Sequence, residues 1–461
     1  MPSDEDTIAA IATPIGQAGI GIVRVSGPRA YRIAEKIFEP KNTIHGLHSH
    51  RLYLGRLNEP SSGEMIDEVL LSYMKAPHSY TREDVIEINS HSGYVLLSKI
   101  LQVVLEQGAR LARPGEFTLR AFLNGRIDLT QAEAVTDLLN SKTDRGLILA
   151  SQQIQGSFRK KIEALRLKVV DKLAHAEVAI DFPEEETDII SRERTADLIE
   201  EEVIGPIEAL ITAHAGRRIW VDGINTVIVG RVNAGKSSLL NRLLNEERAI
   251  VTPIPGTTRD VIESTITVEG LPLRIMDTAG LRKVKGEVEK MGIYLTEQKL
   301  AEADFLLVVI DRSRPMNEDD NKILAQSRAK KALIVLNKID LPSRLSKKDK
   351  EEVLSGFSVT EISALTGQGL DGLRKAIAEC ILESQIDMTV SNIAPNLRHT
   401  QALTDAARFF RSAAKSAREH APMEIVALEL KSGLDSLGEI TGETTSEEVL
   451  DNIFSQFCLG K

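Results

Sequence analysis

The residues of this chain best suited to chemistry lie at 230–238, which read GRVNAGKSS. An apolar run at 226–229 precedes the segment and a leucine-rich run follows it, so a strand should lead in and a helix lead out. This context predicts a P-loop, in which backbone N–H groups surround phosphate oxygens. Lys236 would then contact the β- and γ-phosphates as a catalytic group, and the Ser237 hydroxyl would bind Mg²⁺. The predicted nucleotide contacts here are Asn233, Ala234, Gly235, Lys236, Ser237 and Ser238.

Three later segments indicate which nucleotide binds. Residues 277–280 read DTAG, a D-x-x-G pattern in which the aspartate acts on Mg²⁺ through water and the glycine N–H contacts the γ-phosphate. Residues 337–340 read NKID, where a buried carboxylate at Asp340 can accept hydrogen bonds from the guanine N1–H and 2-amino group, a pair that adenine lacks. Residues 363–365 read SAL, at the place where a loop closes over the base. This order predicts a GTPase, with ATP use as the alternative. The predicted contacts are Asp277, Thr278, Ala279, Gly280, Asn337, Lys338, Asp340, Ser363, Ala364 and Leu365.

The segment between the P-loop and DTAG has the position of a switch loop. It reads TPIPGTTRD at 252–260, and Thr258 is the predicted second side-chain ligand of Mg²⁺, with Thr257 as its competitor. Leu281 follows DTAG, where Ras-type enzymes have a glutamine that orients the attacking water. Another polar residue must then orient that water, and the carboxylates of Glu287 and Glu289 are the nearby candidates. The predicted nucleotide contacts in the switch loop are Thr252, Pro253, Ile254, Pro255, Gly256, Thr257 and Thr258.

The elements that must position these residues fall into regions that differ in their predicted secondary structure. Residues 1–122 mix short β-type and helix-type runs, which predicts an α+β domain. Residues 123–218 and 384–461 have apolar residues at helical spacing, which predicts one helical domain in two parts. Residues 219–383 alternate buried-strand runs with helical segments, as in a doubly wound, mostly parallel sheet. We therefore expect a multidomain chain, in which an α/β Ras-like P-loop domain is inserted into a helical domain behind an N-terminal α+β domain.

Composition excludes several other classes of protein. The 461 residues carry a net charge of −10, which argues against a nucleic-acid-binding surface spread over the whole protein but leaves room for a local basic patch. The two cysteines, Cys380 and Cys458, are too far apart in sequence for a disulfide framework or a zinc ribbon. The first residues are acidic, unlike a signal peptide, and no apolar run approaches the roughly 20 residues of a membrane span. The chain is therefore expected to be cytoplasmic.

Several motifs together carry a family resemblance. The P-loop, GTTRD and DTAGLR segments resemble those of Era-like GTPases. The ATP at 12–14, GIGIVRVSG at 19–27, the segment at 113–134 and the final CLGK at 458–461 narrow this to a resemblance to the tRNA-modification GTPases of the MnmE (TrmE) family. The resemblance covers the whole chain. It implies that the N-terminal domain is a tetrahydrofolate-binding module that forms a homodimer.

The resemblance also assigns individual residues. It implies that folate, as 5,10-methylene- or 5-formyl-tetrahydrofolate, contacts Arg24, Glu87, Arg126 and Lys461; position 126 is often lysine in the family. It implies that K⁺ is bound by Asn233, Thr252, Ile254 and Thr257, and that Glu289 orients the hydrolytic water. It gives Cys458 a role in the modification, whereas the residues alone indicate a small apolar side chain in a helical core and imply no chemical role.

Two functions are compatible with this sequence. The resemblance implies a GTPase that acts with the flavoprotein MnmG (GidA), in a heterotetramer, to place a carboxymethylaminomethyl-type group on C5 of the wobble uridine of certain tRNAs. The alternative is an Era-type assembly GTPase acting on ribosomal RNA, although no basic RNA-binding domain is evident. A cluster of cations at helical spacing is either a solvated face or a tRNA-facing stripe; it consists of Arg408, Arg411, Lys415 and Arg418.

Overall fold

The protein is represented by a computed structural model, which describes residues 6–14, 16, 18–43, 45–181, 191–221, 223–246, 264–276, 302–349, 355–382 and 395–461. The chain divides into two compact units. The first unit comprises residues 1–136, 153–203 and 405–461, and the second comprises residues 137–152 and 204–404.

The first unit contains a seven-stranded sheet in the order β3-β4-β5-β6-β2-β1-β7. Its neighbouring strands are antiparallel except for the parallel pair β1–β7. Because side chains alternate between the two faces of a strand, every second residue of β5 from Val69 to Tyr73 is buried. The strands are β1 Ile8–Ile11, β2 Gly21–Ser26, β3 Phe38–Pro40, β4 Arg51–Asn58, β5 Met65–Met74, β6 Val85–Ser90 and β7 Arg110–Leu111.

Helices cover this sheet and extend the first unit. Helices α1 and α2 pack on one face of the sheet, where Ile33 and Leu97 join its core. Helix α3 lies on the other face, where Phe117 packs against Ile8 and Ala10. Farther along the chain, α6 packs against α13. The helices that lie wholly in this unit are α1 Ala30–Ile37, α2 Tyr94–Glu106, α3 Glu116–Leu123, α6 Ser157–Asp181, α7 Arg192–Ile199, α13 Met423–Thr441 and α14 Glu447–Ser455.

Among the described residues, three further helices extend over both units. They are α4 Leu129–Asn140, α5 Asp144–Ile154 and α12 Leu397–Arg418, and a π-helical turn at Glu200–Ile204 also crosses the division. Within the part of the chain that the structure describes, none of the helices combines the length and apolar character needed to cross a membrane.

The second unit contains a six-stranded sheet in the order β13-β12-β11-β8-β10-β9, parallel except for the antiparallel pair β9–β10. Its central strands are buried along nearly their whole length, as expected when helices cover both faces of a parallel sheet. The elements are α8 Gly205–Val221, β8 Ile224–Val229, α9 Lys236–Glu246, β9 Ser264–Val268, β10 Leu271–Met276, β11 Phe305–Asp311, α10 Glu318–Ser327, β12 Ala332–Asn337, β13 Ser358–Ile362 and α11 Leu370–Leu382.

The predicted fold class is confirmed by this architecture. An α+β region comes first, helices follow, and a mostly parallel P-loop sheet is inserted before the last helices. The boundaries at 122, 218 and 383 remain proposals.

A partly buried group of charges, centred on the buried Arg120 and Glu116, joins the start of the chain to α3 in the first unit. The Arg120 side chain is 4% exposed and its guanidinium contacts Asp6 at 2.5 Å, Glu83 at 2.9 Å and Glu116 at 3.3 Å. Arg110 also pairs with Glu116 and Asp6. Burial alone would raise the pKa of the Glu116 carboxyl, but hydrogen bonds from Arg110 and from a backbone N–H outweigh burial and hold this pKa below its usual value. The Glu116 carboxyl is therefore ionised, and its low pKa depends on its arginine partner.

Candidate functional sites

The P-loop occupies the turn between β8 and α9, as the sequence predicts. Three of its residues have left-handed or related backbone: Gly230 at φ +151°, Asn233 at φ +66° and Gly235 at φ +104°. A Cβ on Gly230 would lie 2.3 Å from the Val309 carbonyl oxygen of β11, so only glycine fits against that strand. These conformations curl the loop around the start of α9, which is where helix N–H groups can bind an anion.

The side chains at the start of α9 fit a phosphate group and Mg²⁺. The Lys236 Nζ donates to the carbonyl oxygens of Gly230 at 2.6 Å and Arg231 at 2.8 Å, which places the ammonium across the mouth of the loop. Ser237 and Ser238 are exposed in the first turn of the helix. A cation, a hydroxyl and the N–H groups of a helix N-terminus are the donor set that a Mg²⁺-bound nucleotide phosphate requires. Ser237 would hold the metal here, and Mg²⁺ would neutralise phosphate charge.

Asn337 connects the P-loop to the loop predicted to close over the base. Its Nδ2 donates to the Ala234 carbonyl oxygen at 2.9 Å, and its Oδ1 accepts from the Ala364 N–H at 2.9 Å. Ser363 Oγ donates to the Asp340 carboxylate at 2.6 Å. Asp340 is exposed rather than buried, with one oxygen oriented by Ser363. The NKID and SAL residues therefore lie beside the P-loop, and the Leu365 side chain points away into solvent.

Asp311 is a residue of this site that the sequence analysis missed. Lys338 Nζ donates to Asp311 Oδ2 at 2.6 Å and to the Asn233 carbonyl oxygen at 3.0 Å. Burial of Asp311 would raise its pKa, but hydrogen bonds from Lys338 and Ser313 outweigh this and hold the pKa below its usual value. The sequence does carry a signal for Asp311: it is a charged residue at the end of an otherwise apolar strand, β11. This strand comes directly before the one that leads into NKID.

Several predicted residues lie outside the described part of the chain. They are the switch-loop residues Thr252, Pro253, Ile254, Pro255, Gly256, Thr257 and Thr258, the DTAG residues Asp277, Thr278, Ala279 and Gly280, and both candidate carboxylates, Glu287 and Glu289.

A second group of predicted residues meets on the sheet of the first unit. Arg24 of β2 and Glu87 of β6 are cross-strand neighbours, and their Nε and Oε1 atoms are 2.8 Å apart. The Arg24 Nη1 donates to the Gly460 carbonyl oxygen at 3.1 Å, and its guanidinium carbon lies 5.6 Å from the centre of the Phe117 ring. The C-terminal residues are therefore held against the Arg24–Glu87 pair.

The backbone explains how the C-terminal segment comes so close. Gly460 has φ +88°, and a Cβ there would lie 2.5 Å from the Ile11 carbonyl oxygen of β1. The N–H of Phe117 donates to the Lys461 carbonyl oxygen at 3.2 Å. Cys458 is an exposed free thiol. The C-terminal residues thus pack as part of the first unit.

Arg126 lies on a neighbouring loop. Its Nη1 donates to the Ser79 carbonyl oxygen at 2.9 Å, and its guanidinium carbon is 4.8 Å from the centre of the Tyr80 ring. Tyr80 packs beside the cluster containing Phe117, whose ring also contacts Arg24. Arg126 and Arg24 thus each contact an aromatic ring, Tyr80 and Phe117 respectively, at the same apolar cluster.

Three of the four cations at helical spacing on α12, namely Arg408, Lys415 and Arg418, are paired with acids. Arg408 lies 3.0 Å from Asp405, and Arg418 contacts Asp197 at 2.8 Å and Glu200 at 2.5 Å. Lys415 lies 3.8 Å from Glu419. These ion pairs favour a solvated, charge-balanced face over a basic stripe.

Comparison with known proteins shows which families this chain is similar to. A family model described as the GTP-binding protein TrmE N-terminus matches residues 7–126, and one described as the MnmE helical domain matches residues 129–458. A protein of Acetivibrio thermocellus is 44% identical over 461 residues, covering 99% of both chains. One of Carboxydothermus hydrogenoformans is 45% identical over 460 residues, and one of Geobacillus kaustophilus is 44% identical over 461. The Carboxydothermus match covers 99% of this chain and 100% of the relative, and the Geobacillus match covers 99% of each.

All three relatives carry the name tRNA modification GTPase MnmE. Their identity extends across both the P-loop sheet and the sheet that holds Arg24 and Glu87. The chain belongs to the MnmE family of tRNA modification GTPases.

Proposed function

We propose that this chain hydrolyses GTP to GDP and phosphate, and that the hydrolysis serves the modification of the wobble uridine of certain tRNAs. The observation that carries the proposal is the Asn337 amide, which holds the P-loop and the SAL loop in one nucleotide site. Asp340, oriented by Ser363, supplies a carboxylate for the N1–H and 2-amino group of guanine. Lys236 stabilises charge on the phosphates, and Ser237 and Thr258 hold Mg²⁺.

A potassium ion is proposed as a second cation of this site. Asn233 has an exposed side chain in the left-handed part of the P-loop, and Lys338 holds its carbonyl group in place. Its amide oxygen is then available for a cation shared with Thr252, Ile254 and Thr257. Such an ion adds positive charge beside the transferring phosphate, the role that an arginine has in other GTPases. Glu289 is proposed to orient the attacking water in place of the missing glutamine.

The potassium assignment predicts a salt-specific rate. GTP hydrolysis should be at least about tenfold faster in KCl than in NaCl at equal ionic strength, because only an ion bound in the proposed site adds positive charge beside the transferring phosphate. Single-turnover hydrolysis with Mg²⁺ in each salt measures this. Asn233→Ala should remove the preference for K⁺, whereas Val232→Ala, which alters an exposed neighbour in the same loop, should keep it. Equal rates of the unaltered chain in both salts would contradict the assignment.

The Arg24–Glu87 region is proposed to bind a tetrahydrofolate, either 5,10-methylene- or 5-formyl-tetrahydrofolate. Glu87 offers a carboxylate for the N–H groups of a pterin, and Arg24, Arg126 and Lys461 offer cations for carbonyl and glutamate oxygens. The bound folate would supply the one-carbon unit. The residues of this chain bind and orient it, and the exposed Cys458 thiol is proposed to serve the modification at the edge of this site.

The modification is proposed to need partners. A homodimer of this chain, joined through the N-terminal domain, would bind tRNA together with the flavoprotein MnmG (GidA) in a heterotetramer, and the flavoprotein would supply the redox chemistry. An Era-type assembly GTPase acting on ribosomal RNA is the alternative function. It leaves the Arg24–Glu87–Gly460 contacts without a role.

Nucleoside mass spectrometry of tRNA from cells lacking this protein tests the proposal. A C5-carboxymethylaminomethyl-type uridine should be lost, and the intact gene should restore it. Lys236→Ala should fail to restore it because GTP hydrolysis is lost, and Glu87→Gln should fail because the folate contact is weakened. Glu59→Gln is the matched control, since Glu59 pairs with Lys99 elsewhere in the same unit. An unchanged uridine profile in the deletion strain would favour the assembly function.

A further inference from the structure

One guanidinium connects α9, the helix that begins at the P-loop, to the guanine loop, by which we mean residues 363–368. Arg242 lies on α9, and its Nη2 donates to the Leu365 carbonyl oxygen at 3.0 Å. The Leu365 side chain is 79% exposed, so its packing does little to hold the loop at this point. The tip of the guanine loop is therefore anchored through its backbone to the phosphate-binding helix.

Gly367 provides a second, independent observation. It has φ +89°, and a Cβ at this position would lie 3.2 Å from Arg242 Nη2. The glycine thus supplies the backbone conformation and also leaves room for the guanidinium. The loop backbone is shaped around the arginine.

Two backbone hydrogen bonds close the base of the guanine loop, and the Thr366 N–H donates to Ser363 Oγ at 3.1 Å within it. The Ser363 N–H donates to the Gln368 carbonyl oxygen at 2.9 Å, and the Gly367 N–H donates to the Ser363 carbonyl oxygen at 2.8 Å. Ser363 and Ala364, the two residues that orient Asp340 and meet Asn337, directly precede the carbonyl group that Arg242 holds. A shift of that carbonyl would move both of them.

We propose that Arg242 is a positioning residue for guanine-nucleotide binding, which holds the guanine loop closed against the base and slows the release of GDP. This inference rests on the proposed function, because that function assigns Ser363 and Ala364 to the base site. A guanidinium-to-carbonyl hydrogen bond is charge-assisted and stronger than a neutral one. Because α9 also begins with Lys236, the same helix would contact the phosphates through Lys236 and the guanine loop through Arg242.

The rate of GDP release tests the role of Arg242. The full chain, with Mg²⁺, is loaded with N-methylanthraniloyl-GDP and chased with excess unlabelled GDP while fluorescence is followed. Arg242→Ala should release the labelled nucleotide about tenfold faster, the size expected for one lost charge-assisted hydrogen bond. Arg242→Lys should be intermediate, because an ammonium can still donate to the carbonyl but lacks the planar fork. The unfolding midpoint of the nucleotide-free chain should stay unchanged in both variants.

Arg328→Ala is the matched control. It removes the same charge from the same unit, at an exposed arginine whose guanidinium carbon lies 5.3 Å from the centre of the Phe357 ring, and it should leave the release rate unchanged. A release rate in Arg242→Ala equal to that of the unaltered chain would overturn the inference and leave the proposed function standing. Equal acceleration in both alanine variants, or a lower unfolding midpoint in Arg242→Ala, would also overturn it, because general destabilisation would then explain the effect. Failure of the unaltered chain to bind labelled GDP would overturn the proposed function itself.

Discussion

Replacing Gly235 with alanine is expected to weaken GDP binding by at least about 100-fold, or roughly 3 kcal/mol. A Cβ on Gly235 would lie 2.1 Å from Asn337 Nδ2, and the backbone there has φ +104°, which an L residue rarely adopts. To make room, Asn337 must give up its hydrogen bond to Ala234, its hydrogen bond to Ala364, or both. The P-loop and the guanine loop would then lose their connection. Fluorescence titration of the full chain with N-methylanthraniloyl-GDP measures the loss.

Gly372→Ala is the control for this substitution. Gly372 lies within α11, and a Cβ there meets nothing within 4 Å, so alanine should leave GDP binding unchanged and stabilise the helix by up to about 1 kcal/mol. If Gly235→Ala binds GDP as tightly as the unaltered chain, the geometry assigned to Asn337 is wrong.

Replacing Arg120 with methionine is expected to lower the free energy of unfolding of the first unit by about 3–5 kcal/mol. Methionine fills much of the same volume but removes the cation that Asp6, Glu83 and Glu116 share. Arg110 still pairs with Asp6 and Glu116, so the half-buried Glu83 loses its arginine and the buried Glu116 loses one of two. An unpaired buried carboxylate costs far more than a lost surface ion pair, because burial removes the water that would solvate its charge. Urea unfolding followed by circular dichroism measures the change. The transition of the first unit is the one whose midpoint added GDP does not move, since GDP stabilises only the unit that binds it.

Arg194→Met is the matched control for Arg120→Met. Arg194 is 55% exposed and lies 3.8 Å from Glu201, which is 67% exposed, so its loss should cost less than about 1 kcal/mol. Equal losses in the two variants would show that burial of the Arg120 group contributes nothing beyond an ordinary surface pair.

The guanine-nucleotide site could be predicted in outline from the sequence because each of its parts is a short local motif. A P-loop needs glycines at fixed spacing between a strand and a helix, and the segment at 230–238 carries that requirement by itself. The alternation of buried strands and helices likewise predicted a parallel sheet, which β8, β11, β12 and β13 form. The carboxyl ends of such strands meet at one edge, so the order of motifs already brought NKID near the P-loop.

The remaining features depend on contacts between residues far apart in the chain, which no local pattern encodes. The Arg24 guanidinium donates to the Gly460 carbonyl oxygen, 436 positions away in the sequence, and only folding of the first unit brings the C-terminal residues to Arg24. The Arg242 anchor of the guanine loop and the Asp311 partner of Lys338 are of the same kind. The sequence by itself determined the nucleotide chemistry, because phosphate and guanine recognition depend on local backbone and fixed spacing. Tertiary structure alone decided which charges are buried together and which loops are held, because burial and long-range hydrogen bonds exist only once the chain has packed.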